Sequence, residues 1–277
     1  MLTLFVRNPH DAIMAFCALL KRGGVAVSAG ITMPMPLTTV FDLPLERVHF
    51  WESLGTNPFF HFFEALRRAG SFYPQIRDTL PPNLAFLKGY GLNLNLMREP
   101  LQQSICLRTS NKGFLDAFVT DPLAEIISQA YVADFIFWSM LHELVSKIVD
   151  VPIGRLYHIT YEAYVETGSC SAAQSIAHIA SRVKISDNGN PYRTEEVRPF
   201  PLINTSPREW YEDFESYRTG KEQIFHDRFF ISVALPLRRA YKSWTDSRLD
   251  DALDHVAVCA ATDWRLAAKE WLERQRK

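Results

Sequence analysis

Residues 101–164 read LQQSICLRTSNKGFLDAFVTDPLAEIISQAYVADFIFWSMLHELVSKIVDVPIGRLYHITYEAY, and this stretch decides the predicted fold. The runs Ser104–Thr109 and Phe114–Thr120 flank the turn sequence Asn-Lys-Gly at 111–113. Because Asn and Gly tolerate positive φ, the two runs predict a β-hairpin. Apolar residues then recur near helical spacing over Phe135–Val149, which predicts a helix. Leu156–Tyr164 alternates in polarity and predicts a further strand.

Composition favours one folded domain. The chain has 277 residues, of which 47% are hydrophobic and 22% charged, so a substantial core is feasible. The formal net charge of -1 gives no strong nucleic-acid signature. We expect a single domain over residues 1–277, with appended helices after about residue 185.

The four cysteines, Cys17, Cys106, Cys170 and Cys259, are widely separated and form no CxxC pair, which favours free thiols. No cluster of metal-ligand residues stands out, so no metal site is predicted. No apolar run reaches the ~18 residues of a membrane span. We therefore expect no membrane association and a cytoplasmic protein, in the host cell if a phage encodes it.

Four further stretches extend the pattern of the central segment: PLTTVFDLPLERVHF at 36–50, NPFFHFFEALRRAG at 57–70, KGYG at 88–91 and DWRLAAKEWL at 263–272. In this order they resemble the thymidylate synthase family, which includes the deoxycytidylate hydroxymethylases, and most closely its divergent, phage-type members. The resemblance covers most of the chain. It implies an α+β fold, with a mixed β-sheet covered by helices on one face, and a homodimer.

Glu64 is the first candidate site residue. It lies among phenylalanines in the predicted helix Phe59–Ala69, where desolvation disfavours the anion and suits the side chain to proton relay. The resemblance implies the same role, because the family's proton-handling glutamate lies in the helix after an Asn-Pro start. The alternative is a glutamate on a polar stripe that faces Arg67 or Arg68.

The family's nucleophile is a cysteine at the start of the strand that leads into the hairpin. Counting back from Gly113 places this position at Gln102, and counting back from Asp134 places it at Gln103. An amide cannot supply a thiolate in either register. Cys106 lies about 13 Å beyond Gln102 along a strand. We therefore expect Cys106 to be a core thiol rather than a relocated nucleophile.

The family's phosphate-binding Arg-Ser-x-Asp motif falls on residues 122–125, Pro-Leu-Ala-Glu, or one residue later. Neither register contains an arginine, and no apolar side chain reproduces the bidentate grip of a guanidinium on phosphate. Arg98 could match one of two further family arginines. Tyr90, in the KGYG loop, would help to hold substrate.

Asp134 falls where the synthases carry a base-reading asparagine and the hydroxymethylases an aspartate, which can accept from the amino group of cytosine. The alternative is a helix N-cap before Phe135. The family's sugar-binding His-x-Tyr pair falls on residues 164–166 or, after a two-residue deletion, on 162–164. Tyr164 takes part in both registers, and Glu162 replaces the histidine in the second; a plain surface strand pair is the alternative.

Three functions follow from these residues. The chain could be an active pyrimidine nucleotide 5-(hydroxy)methyltransferase, which would need methylene-tetrahydrofolate as cofactor. It could instead be a non-catalytic protein of this fold that binds a pyrimidine nucleotide or nucleoside, or has a structural or regulatory role. It could also modify a pyrimidine by altered chemistry, with Glu64, Asp134 and Glu162 as an acidic cluster. We expect the second function, because several chemically independent parts are missing together.

Overall fold

The computed structural model describes residues 1–27, 30–33, 35–48, 56–80, 87, 91–97, 102–166, 190–193, 197–221 and 224–276. Their strands form one eight-stranded sheet. The strands are β1 Leu2–Val6, β2 Val25–Val27, β3 Gly30–Thr32, β4 Leu37–Phe41, β5 Leu92–Met97, β6 Gln102–Thr109, β7 Leu115–Glu125 and β8 Ile153–Glu166.

The sheet is mixed. Its main path runs β1-β4-β8-β7-β6-β5, while β3 pairs with β8 and with β2. The pairs β1–β4 and β7–β8 are parallel, and the other pairs are antiparallel. The parallel β7–β8 pair needs a crossover connection, and the long helix between these strands supplies it.

Helices complete the α+β fold. They are α1 Pro9–Gly23, α2 Pro58–Ser71, α3 Tyr73–Thr79, α4 Gln129–Ile148, α5 Pro207–Thr219, α6 Leu235–Thr245, α7 Leu249–Ala257 and α8 Thr262–Arg274. A short 3-10 helix spans Pro191–Arg193 and a π-helix spans Phe230–Ala234. None of the helices in these described ranges is long and apolar enough to cross a membrane.

The central stretch folds as predicted, with one correction. β6 and β7 form the hairpin, and Gly113 at its turn has a φ of 82°. The helix begins at Gln129, six residues before the predicted Phe135. Ser128 is its N-cap and accepts a hydrogen bond from the Tyr131 amide. The prediction of a helix start at Asp134 is therefore wrong, because a serine caps the helix more than a turn earlier.

Helix α2 is also as predicted. Asn57 is its N-cap, Pro58 occupies the first turn, and its apolar side packs against α4 and the C-terminal helices. Residues 258–261 separate α7 from α8.

The two faces of the sheet differ. On β7, Leu115, Ala117 and Val119 are fully buried toward α4. The opposite face carries a cross-strand row that we call the outer-face row. Its cross-strand register joins one residue from each of five neighbouring strands. The row consists of Phe5, Val40, Tyr157, Phe118 and Cys106.

A buried polar group, which we call the Arg47 cluster, joins the sheet and α4 to the C-terminal helices. Arg47 forms an ion pair with Glu143, whose other carboxylate oxygen accepts a 2.8 Å hydrogen bond from the Leu202 amide. The Tyr192 hydroxyl donates to Asp263 Oδ2 at 2.9 Å and accepts from the Val48 amide at 3.0 Å. The cluster consists of Arg47, Glu143, Tyr192 and Asp263.

The π-helix before α6 has an identifiable cause. Pro236 has no amide hydrogen, so it cannot bond the carbonyl of Ser232 four residues earlier. The Ala260 amide, from the segment between α7 and α8, donates to that carbonyl at 2.8 Å instead. Thus a long-range backbone bond replaces the local one.

Candidate functional site

A second buried polar group lies between β6, β7, β8 and helices α2 and α4. Its members come from elements distant in sequence, and its centre is Gln103 on β6. We call it the Gln103 cluster. It consists of Arg68, Gln103, Asp121, Tyr131, Asp134 and His158.

Gln103 bridges the two aspartates of this cluster. Its side-chain Nε2 donates to Asp121 Oδ2 at 2.9 Å and lies 3.4 Å from Asp134 Oδ2. The residue is only 2% exposed, and its Oε1 has no hydrogen-bond partner among the described residues. Buried polar atoms usually have partners, so an open acceptor at this depth leaves room for a bond to water or ligand.

Asp134 is held from the other side by Arg68 of α2. Arg68 Nη1 donates to Asp134 Oδ1 at 2.9 Å, and its guanidinium lies 3.9 Å above the ring of Phe137. Asp134 is 4% exposed and lies in the second turn of α4. The N-cap alternative for Asp134 is therefore wrong. Its hydrogen bonds to Arg68 and Gln103 link α2 to the sheet through α4.

Tyr131 and His158 continue the cluster toward the middle of the sheet. Burial, followed by the charges of Asp121 and Asp134, raises the pKa of Tyr131 well above its ordinary value, so the hydroxyl keeps its proton. The hydroxyl and His158 Nδ1 lie 3.2 Å apart and share a hydrogen bond; when the hydroxyl is the donor, the imidazole proton is on Nε2. This Nε2 has no described hydrogen-bond partner, and Asp121 Oδ2 is 3.9 Å from it.

The same sheet face reaches solvent just beyond this cluster. β7 and β8 keep one register from Ala117 to Glu125, so residues two apart on β8 share a face. His158 and Thr160 are fully buried on that face, whereas Glu162 is exposed and Tyr164 half-buried. The structure thus brings Glu162 and Tyr164, two predicted site residues, to the open edge of the Gln103 cluster.

The open edge is acidic. Glu162 lies opposite Leu123, and Glu125 lies opposite Tyr164 on the neighbouring strand. Burial and the charge of Glu166 raise the pKa of Glu125. Inside the Gln103 cluster, two aspartates outnumber the one arginine. Counted over the described residues, the face therefore carries an excess of negative charge.

Glu64 lies one helical turn before Arg68 on α2. Its side chain is 34% exposed, and both carboxylate oxygens accept hydrogen bonds from Arg67, at 2.9 and 2.7 Å. This is the ion pair that the sequence left open as an alternative. The spacing of four residues puts Glu64 and Arg68 on one side of α2, so Glu64 borders the cluster without belonging to it.

Gln102 and Tyr90 are the two other predicted site residues. Gln102 begins β6, where it pairs with Met97 of β5. Tyr90 lies outside the described residues. The amide that meets Asp134 is therefore that of Gln103, the register counted from Asp134.

No described cysteine belongs to the Gln103 cluster. Cys106 is three residues from Gln103 on β6 and lies on the opposite face, in the outer-face row. Burial raises the pKa of Cys106, and raises the pKa of Cys17 to about 11 and of Cys259 to about 12, so these thiols stay protonated at neutral pH. Cys170 lies outside the described residues.

Sequence reasoning did not identify Asp121, Arg68 or His158 as site residues. A signal was present on the strands, where Asp121 and His158 occupy positions that alternate with outward-facing residues and should be apolar. No such signal marks Arg68, whose partner Asp134 is 66 residues away.

No family model matches the chain. The chain is similar to a deoxyuridylate hydroxymethyltransferase of Pseudomonas phage M6, with 29% identity over 298 residues, covering 88% of this chain and 84% of the relative. The similarity covers most of both chains. Together with the mixed sheet and its helices, it makes the chain a divergent, phage-type member of the thymidylate synthase and deoxycytidylate hydroxymethylase family.

Proposed function

We propose that the chain binds a pyrimidine nucleotide or nucleoside at the open edge of the Gln103 cluster and does not catalyse thiolate-initiated one-carbon transfer. The observation that carries this proposal is the Gln103 side chain. An amide stands beside Asp134, and it is hydrogen-bonded to two aspartates. An amide neither ionises to a nucleophile nor forms the covalent adduct that such a transfer needs.

Other parts of the site support the loss of this chemistry. Cys106 is on the far face of β6, so it cannot replace the missing thiolate without a change of strand register. Pro122 and Leu123 occupy the strand position where the family's phosphate-binding arginine is expected. Glu162, or Tyr164 in the other register, occupies the position of the sugar-binding histidine.

Binding remains compatible with these losses. Asp134 stays in place, fixed by Arg68, and Tyr164 lies half-buried on the face where Glu162 is exposed. These side chains offer hydrogen bonds and an aromatic surface to a heterocycle, which small-molecule sites commonly use. A protein that keeps this site without a nucleophile would serve as a binding or regulatory component.

A second candidate is an active pyrimidine nucleotide 5-(hydroxy)methyltransferase, or an enzyme that modifies pyrimidines by altered chemistry. The observation that favours it is the relative, whose name gives deoxyuridylate as substrate. Glu64 would then manage protons and Asp134 would read the base. Methylene-tetrahydrofolate would be the cofactor under this candidate alone.

Tritium release separates the two candidates. The purified chain is incubated with methylene-tetrahydrofolate and either dUMP or dCMP carrying tritium at carbon 5. We expect no release above a protein-free control, because displacement of that hydrogen needs a nucleophile at carbon 6. Release well above the control would refute the proposed loss of chemistry, and Cys106→Ser and Cys170→Ser would then identify the thiol.

Thermal unfolding tests the binding half of the proposal. A ligand that binds the native state raises the apparent melting temperature by mass action. We expect a rise with at least one pyrimidine nucleoside or nucleotide, lost in Asp134→Asn. A flat response to all of them would leave a structural role as the remaining interpretation.

We also propose that a second copy of the chain covers the outer-face row, each copy being a single domain. Phe118 and Tyr157 stack there at 4.6 Å and are half-buried, and Phe5 is 68% exposed. Apolar rows of this kind mark interaction surfaces. The resemblance supports a copy of the same chain as the occupant.

Sedimentation equilibrium tests this dimer. We expect a mass of twice 31.8 kDa for the wild type and a monomer for Phe118→Glu, which puts a charge at the centre of the row. Ile224→Glu is the matched control, because Ile224 is an 87% exposed apolar residue outside the row. A monomeric wild type would end the proposal.

A further inference from the structure

We infer that the ligand at the open edge of the Gln103 cluster is an uncharged pyrimidine nucleoside or base, without a phosphate group. The inference rests on the proposed function and narrows its ligand class. It comes from the charges on β7 and β8 and from two buried polar atoms that lack partners within the described part of the chain.

The first step concerns the strand that should bind phosphate. Alternation along β7 puts Leu123 and Glu125 on the same face as Asp121. An apolar side chain and a carboxylate therefore follow the buried aspartate toward solvent. Neither offers the N–H donors or the positive charge that hold a phosphate dianion.

The second step concerns the neighbouring strand. Glu162 is exposed two residues beyond Thr160, about 7 Å along β8. Glu125 lies beside Tyr164 on the adjacent strand, and its pKa is raised by burial and by the charge of Glu166. A phosphate placed on this face would meet carboxylates on both strands.

Arg68, the cation of the Gln103 cluster, already forms an ion pair with Asp134. Arg68 donates to Asp134 and stacks on Phe137, and its side chain is 21% exposed. Its charge offsets one of the two aspartates. Moving Arg68 toward a phosphate would leave the buried Asp134 without its cation, and breaking a buried ion pair in this way is strongly destabilising.

The open hydrogen-bonding positions suit a neutral ligand. Gln103 Oε1 is an acceptor without a described partner, and His158 Nε2, a donor in the tautomer in which Tyr131 donates to Nδ1, also lacks one; the two residues are 2% and 0% exposed. Both side chains lie within 4 Å of the same atom, Asp121 Oδ2. A pyrimidine presents N–H and carbonyl groups side by side, and these complement an adjacent acceptor and donor, directly or through water.

Isothermal titration calorimetry of the full chain tests the inference. Deoxyuridine is compared with dUMP, and deoxycytidine with dCMP, at low ionic strength. We expect at least one nucleoside to bind about five- to tenfold more tightly than its 5′-phosphate. This factor corresponds to the Coulomb repulsion between a phosphate dianion and one carboxylate about 7 Å away in water. Added salt should narrow the difference, because it screens exposed charges.

Glu162→Gln sharpens the test, since an exposed residue can be replaced without unfolding the chain. We expect it to narrow the difference between the nucleoside affinity and the nucleotide affinity, because the repulsion between this carboxylate and the phosphate is removed. Asp254→Asn on α7, also exposed, is the matched control and should leave the difference unchanged.

The outcomes separate this inference from the proposed function. Tighter binding of a 5′-phosphate than of its nucleoside would overturn the inference and keep the proposed binding function. No binding of any of the four compounds would overturn both. An unchanged difference in Glu162→Gln would overturn the placement of the ligand on β8.

Discussion

The Gln103 cluster and the Arg47 cluster are buried to a similar extent, yet their buried polar atoms differ in how many have hydrogen-bond partners. In the Arg47 cluster, each carboxylate oxygen of Glu143 and Asp263 accepts a hydrogen bond. In the Gln103 cluster, Gln103 Oε1 and His158 Nε2 lack described partners. A fully satisfied polar network stabilises one structure, whereas open positions are costly unless something else uses them. The comparison therefore supports a structural role for the Arg47 cluster and the proposed binding role for the Gln103 cluster.

The largest expected effect comes from Arg47→Met. The change leaves Glu143 charged and buried without its cation, and breaking such a pair typically lowers the free energy of unfolding by about 3–5 kcal/mol. Chemical denaturation measures the loss. Arg155→Met is the matched control, because the Arg155–Asp42 pair is half-exposed and should contribute less than about 1 kcal/mol. Equal effects in the two variants would contradict the structural assignment of the Arg47 cluster.

The next effect is a pH dependence centred on Asp263. Burial raises its pKa to about 6, against 3.8 in an unfolded chain. The folded protein therefore binds a proton between these values and loses that advantage as the pH rises through 6. We expect Asp263→Asn to gain stability relative to wild type from pH 4 to pH 7, by about 3 kcal/mol for a shift of roughly two units. Urea denaturation of both proteins across that range measures it, and a constant difference would contradict a raised pKa.

The smallest expected effect on stability is that of Gln103→Leu. Asp134 keeps Arg68 and Asp121 keeps the Leu123 amide as donors, and the new side chain fills similar space. We expect the free energy of unfolding to change by about 1 kcal/mol, a typical net hydrogen-bond contribution. Nucleoside affinity should fall at least about tenfold, because the open acceptor disappears. Arg47→Met should instead lower the free energy of unfolding strongly and leave the nucleoside affinity nearly unchanged. Equal stability losses in both variants would remove the distinction between the clusters.

The sequence predicted the local parts of this fold well. The hairpin β6–β7 follows from two apolar runs and a turn, and α2 follows from an Asn-Pro start before a periodic segment. Such signals lie within a few residues of the structure they specify. The start of α4 was missed although Ser128 could have signalled it, because the apolar spacing drew attention to Phe135.

The candidate site was predictable in part. The family's nucleophile position was predicted at Gln102 or Gln103 and its base-reading position at Asp134, and the structure brings Gln103 and Asp134 together with Asp121. The commitment of Asp134 to Arg68 could not be predicted, because it depends on how α2 packs on α4. The break between α7 and α8 likewise has no glycine or proline to mark it, and its Ala260 amide bonds a residue on another helix.

The hydrogen bond from the Ala260 amide to the Ser232 carbonyl couples the docking of two segments near the C-terminal end of the fold. The Ser232 carbonyl cannot accept from Pro236 and accepts from the Ala260 amide, so this hydrogen bond forms only after the segment before Thr262 has docked. A chain shortened at Ala257 would expose this oxygen and lose the packing of Trp271 on Phe59 and Trp244. Residues 232–276 should thus assemble together, as one cooperative unit, or remain undocked together.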